Sequence, residues 1–384
     1  MTSAAPATPP QPPRRRQVKD FWTRVTEGME LNQLWSQFIS EARTSYGLYS
    51  RELKRTDTAG MTRWQRGRQL AKEFFWAVVM KLSPARRVLL LVAIVLVAIS
   101  GFQVQMGDHR LVSVGGWAVW GGLLLLALLV LEVADRVTMK RDLEIAREIQ
   151  QWLVPQQPPQ VPGMEVAFVS RPANTVAGDY YDVLPMLSAG RGDRVLLAMA
   201  DVAGKSLPAA LLMATFQASL RTLAATAGSL AELVDGVNRY TCAHSRSGQR
   251  FTTAFLALFD CTRRELTYTN AGHNAPILMR HSGNLERLVA GGLPLGIDTG
   301  RGYQSDMKTL APGDLLVIFT DGVVEAVNPR GEEFEEGRLI SSLMRCGRSS
   351  PQEVVQTLMR EMDLFVGDAS QHDDITCMVV RVTA

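Results

Sequence analysis

Residues 194–204 read RVLLAMADVAG, an apolar run that ends on Asp201 and turns at Gly204. A short apolar run bounded by turn residues is the pattern of a buried strand. Beyond it, residues 208–225 carry apolar side chains at helical spacing, with Ser206 at the N-cap position and Pro208 in the first turn. Asp201 therefore closes a strand, and the positive end of a helix points toward its neighbourhood. The same device recurs elsewhere in the chain. Asp321 closes Leu315–Thr320 just before Gly322, Asp373 and Asp374 precede a strand that begins at Ile375, and Asp179 follows Gly178 at the start of Tyr180, Tyr181, Asp182.

Carboxylates on rigid strand ends can converge without the entropic cost of ordering long loops. All-oxygen sites of that kind suit hard divalent cations such as Mg²⁺ or Mn²⁺. Zinc is not indicated, because His109, His244, His273, His281 and His372 show no ligand spacing. Cys242, Cys261, Cys346 and Cys377 are scattered and form no CxxC pair, which argues against a zinc cage or a disulfide framework. Gly204, Lys205, Ser206 resemble the tail of a phosphate-binding GxxxxGK[ST] loop, but its first glycine would fall at Met199, inside the strand. The helix N-terminus after Ser206 remains suited to an anionic phosphoryl group.

Outward from these acids, strands are predicted at Glu165–Val169, Thr252–Phe259 and Glu265–Thr269, with Asp260–Arg264 as a hairpin turn. Helices are predicted at Leu230–His244, Glu336–Arg345 and Pro351–Phe365. This mixture of hairpins and grouped helices predicts an α+β layered domain rather than a βαβ repeat.

The N-terminal part differs in texture. Residues 1–17 hold five prolines and the triplet Arg14, Arg15, Arg16, a composition that predicts a disordered tail. Residues 18–87 read as a basic helical segment, and residues 1–87 carry 16 Lys/Arg against 7 Asp/Glu. The chain from residue 88 onward is net acidic, so anionic lipid is the expected neighbour of the basic segment and nucleic acid is not an expected partner. Val88–Met106 and Leu111–Leu131 are each about the length that spans a bilayer, joined by Gly107–Arg110. They predict a two-helix transmembrane hairpin within residues 88–137. Lys81, Arg86 and Arg87 before it, and Arg136, Lys140 and Arg141 after it, predict a multi-pass cell-membrane protein with both termini cytoplasmic. A linker helix is expected within residues 138–157. Its seam of Leu143, Ala146, Ile149 and Leu153 would suit pairing of two chains, that is, a homodimer.

Seven segments carry a family resemblance: Glu144–Pro155 (EIAREIQQWLVP), Ala177–Asp182 (AGDYYD), Asp201–Ala214 (DVAGKSLPAALLMA), Tyr268–Asn274 (YTNAGHN), Gly292–Ile297 (GLPLGI), Phe319–Ala326 (FTDGVVEA) and Asp373–Thr376 (DDIT). In this order and spacing they resemble the bacterial SpoIIE/RsbU branch of the metal-dependent protein phosphatases, relatives of protein phosphatase 2C. The resemblance implies an α-β-β-α sandwich over residues 158–384 and a serine/threonine phosphatase acting on a phosphoprotein, such as an anti-sigma-factor antagonist, by metal-activated water. It implies two Mn²⁺ or Mg²⁺ ions, with room for a third. Asp201 would bridge both ions beside the Val202 carbonyl, Asp321 and Asp373 would hold one, and Asp179 would act through water or at an accessory ion. Asp182, Asp374, Gly204 and Lys205 are adjacent residues without an assigned role, and His273 reads as structural within its AGHN turn. The chain departs from the pattern at Ala177 and Ser206, where the family often has glycine. Its loop also lacks a counterpart of the histidine proposed as general acid in the eukaryotic relatives. The competing reading is a catalytically weak membrane scaffold that uses the same fold to bind a signalling partner.

Overall fold

The computed structural model describes residues 82–100, 103–105, 111–113, 116–186, 194–245, 250–347 and 349–383, with 64, 76, 79 and 80 besides. The expectations for residues 1–17, for most of 18–87 and for the Gly107–Arg110 connection lie outside them. The chain divides into two compact units, Met1–Asp135 and Arg136–Ala384.

In the first unit, helix α1 (Pro84–Ser100) is followed by strands β1 (Gln103–Gln105) and β2 (Leu111–Ser113), which pair antiparallel. Helix α2 then runs from Gly116 to Leu153. The α1 and α2 backbones approach closely at small residues. A Cβ on Gly121 would press on Val97 Cγ2 and on the Ala93 carbonyl, and Ala93 is fully buried. Arg86 adds ion pairs to Asp135 (2.7 Å) and Glu132 (3.4 Å).

Three sequence expectations change here. Over the first predicted span the described helix is Pro84–Ser100, whose 17 residues rise about 26 Å against a hydrocarbon core of about 30 Å, and residues 103–105 pair as a strand. The second begins at Gly116 rather than Leu111, because 111–113 pair as a strand. The linker helix is not a separate element: α2 is a single helix of 38 residues. No glycine or proline interrupts it between Gly122 and Leu153, and Pro155 follows. Among the described residues one helix, α2, is long and apolar enough to cross a membrane.

The second unit stacks four layers. A six-stranded sheet takes β4 (Asp179–Met186), β5 (Arg194–Val202), β6 (Thr252–Asp260), β7 (Glu265–Ala271), β10 (Gly291–Gly292) and β11 (Asp306–Thr309), in the order β10-β7-β6-β5-β4 with β11 also on β7. A five-stranded sheet has the order β3-β13-β12-β8-β9, from β3 (Met164–Arg171), β13 (Ile375–Val382), β12 (Leu315–Phe319), β8 (Ile277–Met279) and β9 (Leu285–Arg287). Helices α3 (Leu207–Ala224) and α4 (Leu230–His244) cover the first sheet. The short α5 (Asp321–Val324) follows β12, and α6 (Glu335–Cys346) and α7 (Pro351–Val366) cover the second sheet. The expected α+β architecture of two sheets flanked by helices is what forms. Helix α4 matches its predicted bounds and β13 begins at Ile375 as predicted, while β5 and β12 take up the apolar runs that lead to Asp201 and Asp321; β4 and β8–β11 are not among the predicted strands.

Pleating sorts each strand between two cores. On β5, Val195, Leu197 and Met199 face the other sheet, while Leu196, Ala198, Ala200 and Val202 face α3 and α4. On β4, Tyr181 and Val183 take the inter-sheet side and Tyr180 the helix side. Asp182 shares the parity of Tyr180 and is fully buried there. Its carboxylate accepts from Arg221 Nε (2.8 Å) and Nη2 (3.2 Å) on α3, from the Tyr180 hydroxyl, and from the Val183 N–H (2.9 Å). A buried carboxylate satisfied in this way joins β4 to α3. Asp182→Ala is expected to cost about 2–3 kcal/mol, chiefly by leaving the buried Tyr180 hydroxyl without its acceptor and by losing the charge-assisted bonds to Arg221. The check is the melting temperature by circular dichroism; an unchanged value removes Asp182 from the framework.

Candidate active site

The same parity carries two other acids to the opposite face. Asp201 follows Val195, Leu197 and Met199 onto the inter-sheet side of β5, and Asp179 does so on β4 with Tyr181 and Val183. The register pairs Asp179 directly with Asp201. Like charges opposite each other on one face of a sheet are destabilising. From the other sheet, β12 leads through Thr320 to Asp321 at the start of α5, and Asp373 and Asp374 precede β13. Gly322 allows these segments to meet, because a Cβ there would collide with the carbonyl of Asp374.

Burial and mutual repulsion raise the affinity of Asp179, Asp201 and Asp321 for protons. Asp179 is buried and accepts a hydrogen bond from Thr320 Oγ1 (2.9 Å). Burial first, and then the charge of Asp201, hold its carboxyl well above the ordinary range. Asp201 is pushed up to about 7 by burial and then by Asp321, Asp373 and Asp374. Asp321 is raised by burial and by Asp373, and Glu325, on the same side, by burial and by Asp321.

Asp373 and Asp374 divide their work. Both oxygens of Asp374 accept backbone N–H groups, from Ala173 (2.7 Å) and Gly178 (2.6 Å), so this acid fastens the turn before β4. Asp373 Oδ1 accepts the Asp374 N–H (3.0 Å), while its Oδ2 pairs with Lys205 Nζ (2.9 Å). Asp201, Asp321 and Asp373 thus form a crowded set of hard oxygen donors with a net charge deficit, which is the donor chemistry of a Mg²⁺ or Mn²⁺ site. Among the described residues no three acidic, histidine or cysteine side chains close around one ion position. The backbone gathers the donors, and protein partners set their rotamers: Thr320 for Asp179 and Lys205 for Asp373.

The loop between Asp201 and α3 is unusual backbone. Gly204 has φ 121° and Ser206 has φ 65°, ψ −151°. Ser206 occupies a region that is nearly glycine-only and costs on the order of 1–3 kcal/mol. Its side chain makes no cap bond, contrary to the N-cap expectation. The Val202 side chain is buried on the helix side, and its carbonyl lies against Gly178. His273 is buried, and burial lowers its pKa to about 4. Its Nδ1 bonds Thr253 Oγ1 (3.0 Å), and Thr253 stands beside Asp201 on β6, so the imidazole braces the sheet one strand away.

The sequence reading missed three contributors. Thr320 orients Asp179, and Glu325 lines a cleft of about 470 Å³ together with Arg171, Lys205 and Asp373. Gln150 on α2 clamps Ala177 through both amide atoms: its Nε2 donates to the Ala177 carbonyl (2.7 Å) and its Oε1 accepts the Ala177 N–H (2.9 Å). Half-buried positions on this part of α2 are Leu143, Ala146, Gln150 and Leu153, while Ile149 is exposed. Three of the four predicted seam positions, Leu143, Ala146 and Leu153, lie on this half-buried side, with Gln150 in place of Ile149.

Comparison with known proteins agrees with this geometry. The family model described as "Stage II sporulation protein E (SpoIIE)" matches residues 191–383. The phosphoserine phosphatase RsbU of Bacillus subtilis is 31% identical over 246 residues, covering 63% of this chain and 70% of that protein. The crystal structure of the RsbU and RsbW domains of Rv1364c from Mycobacterium tuberculosis superposes with TM-score 0.50 at 25% identity, over 59% of this chain and 62% of that one. The SiaA-PP2C domain of Pseudomonas aeruginosa shares the fold, with TM-score 0.56 at 21% identity, over 65% of this chain and 98% of that one. With two sheets gathering their acids at one edge and a family match over that region, the chain belongs to the SpoIIE family and carries its PP2C-like protein serine/threonine phosphatase domain.

Proposed function

We propose that this chain is a membrane-anchored phosphatase that removes phosphate from phosphoserine or phosphothreonine on a regulatory protein, an anti-sigma-factor antagonist being the candidate class. The observation that carries the active-site reading is the face-to-face pair Asp179 and Asp201, with Asp321 and Asp373 supplied by the second sheet. In this reading Asp201, Asp321 and Asp373, with the Val202 carbonyl, hold Mn²⁺ or Mg²⁺, and Asp179 is kept in position by Thr320. A divalent cation there supplies charge stabilisation for a phosphoryl group and acidifies water. The residues of the chain provide the rest. The acids fix the reacting centre on rigid strand ends, the N-terminus of α3 faces incoming anionic charge, and the cleft beside Glu325 admits the phosphorylated side chain. A scaffold without turnover is the alternative, and the retained acids favour catalysis.

Membrane anchoring is supported by α2 and by the exposure of α1, where Val88, Leu91 and Val95 present apolar surface. The positions of the basic residues favour both termini in the cytoplasm, which needs α1 to cross as well, its shorter length being taken up by local thinning of the bilayer. If this is right, the full chain stays in the membrane pellet after alkaline carbonate extraction and a chain lacking residues 84–135 does not. Release of the full chain would refute anchoring.

Asp201→Asn and Asp321→Asn are each expected to abolish hydrolysis of a phosphoserine protein while the circular dichroism spectrum is retained. The folded-state pKa of Asp201 is raised from 3.8 to about 7. The folded chain therefore holds a proton that the unfolded chain has released, and that stabilisation is lost as pH rises from about 4 through 7. In chelator, Asp201→Asn should melt above wild type near pH ~8 and converge with it below pH ~4. Excess Mn²⁺ should then raise the melting temperature of wild type only. Wild-type rates in either variant would refute the assignment.

A further inference from the structure

Lys205 sits between two residues of left-handed backbone, Gly204 and Ser206, in the loop that joins Asp201 to α3. Its ammonium is 2.9 Å from Asp373 Oδ2 and 2.7 Å from the His372 carbonyl. The side chain is 57% exposed, so few packing contacts oppose its displacement. It lines the cleft that also contains Arg171, but the Arg171 guanidinium is already engaged with both oxygens of Asp363 (2.6 and 3.3 Å). The carboxylates of Asp201, Asp321 and Glu325 all feel the Lys205 charge.

We propose that Lys205 is a phosphate-binding residue that Asp373 restrains, so that a divalent cation taking Asp373 releases the ammonium to the substrate phosphoryl group. The inference rests on the phosphatase reading given above. The ammonium 2.9 Å from Asp373 Oδ2 competes for that oxygen's negative charge with a divalent ion coordinated there. A singly and a doubly charged cation so close also repel each other. The displaced ammonium loses its carboxylate while standing at the edge of a cleft suited to a phosphorylated side chain. Phosphoryl oxygens are the acceptors that restore a charge-assisted hydrogen bond. No bond is made or broken by Lys205, which stays protonated throughout. Recognition of the anion thereby follows loading of the cation.

The test uses the purified, metal-stripped full chain as wild type, Lys205→Met and Lys205→Arg, with Mn²⁺ followed calorimetrically and inorganic phosphate then titrated into the Mn²⁺-loaded protein. Lys205→Met should bind Mn²⁺ roughly threefold more tightly, the scale of a half-exposed ion pair removed as competitor. It should bind phosphate about tenfold more weakly, the scale of one lost hydrogen bond to a charged group. Lys205→Arg should keep phosphate affinity near wild type. A merely structural lysine would weaken both ligands together on removal. Mn²⁺ affinity equal to or below wild type in Lys205→Met, or unchanged phosphate affinity, overturns the proposal while leaving the phosphatase reading standing. A wild-type chain that binds no Mn²⁺ overturns both.

Discussion

Two carboxylates, Asp179 and Asp201, stand opposite each other on adjacent strands, on the face of the sheet that looks into the sandwich. A sheet does not keep such a pair for stability, because the repulsion acts where burial removes solvent screening. The fold tolerates it through the partners around it. Thr320 donates to Asp179, and its hydroxyl accepts the Thr376 N–H (3.0 Å), which ties the site to β13 of the other sheet. Asp374 anchors the turn before β4 through two backbone N–H groups. The loop that follows Asp201 carries backbone strain of its own at Ser206.

The connection from α2 follows from this arrangement. Ala177 precedes Gly178 and Asp179, and the Gln150 amide holds both of its backbone polar groups. Any change in how this part of α2 lies on the phosphatase unit acts on the turn that presents Asp179. Val154, at the end of α2, packs on both the inter-sheet and the helix-side cores, so the helix is fixed to the domain by apolar contact as well as by that clamp.

Much of this was legible in the sequence because strand ends and helix caps are local signals. Asp201, Asp321 and Asp373 were found as acids that close or precede apolar runs, and the lengths of β5, β12 and β13 follow from those runs. What was not legible depends on the third dimension. Asp182 lies three residues from Asp179, an odd separation that turns it to the opposite face of β4. That much was available from period-two pleating once β4 was known to be a strand, but its run DYYDVLPM, with two acids and a proline, hid it. The register that sets Asp179 against Asp201, the pairing of Thr320 with Asp179 and the clamp by Gln150 join positions far apart in the chain, where one sequence carries no signal. The unbroken α2 was missed for a simpler reason. Composition changes from apolar to charged near Val137, which looks like an element boundary, but no glycine or proline breaks the helix there.

Whether the two sheets meet to form a divalent cation site at Asp201 is decided by anomalous diffraction from a crystal of the protein grown with Mn²⁺. Manganese peaks are expected within coordination distance of the carboxylates of Asp201, Asp321 and Asp373, with Lys205 moved off Asp373. Peaks elsewhere with these acids unliganded, or no peak at saturating Mn²⁺, would contradict that assignment.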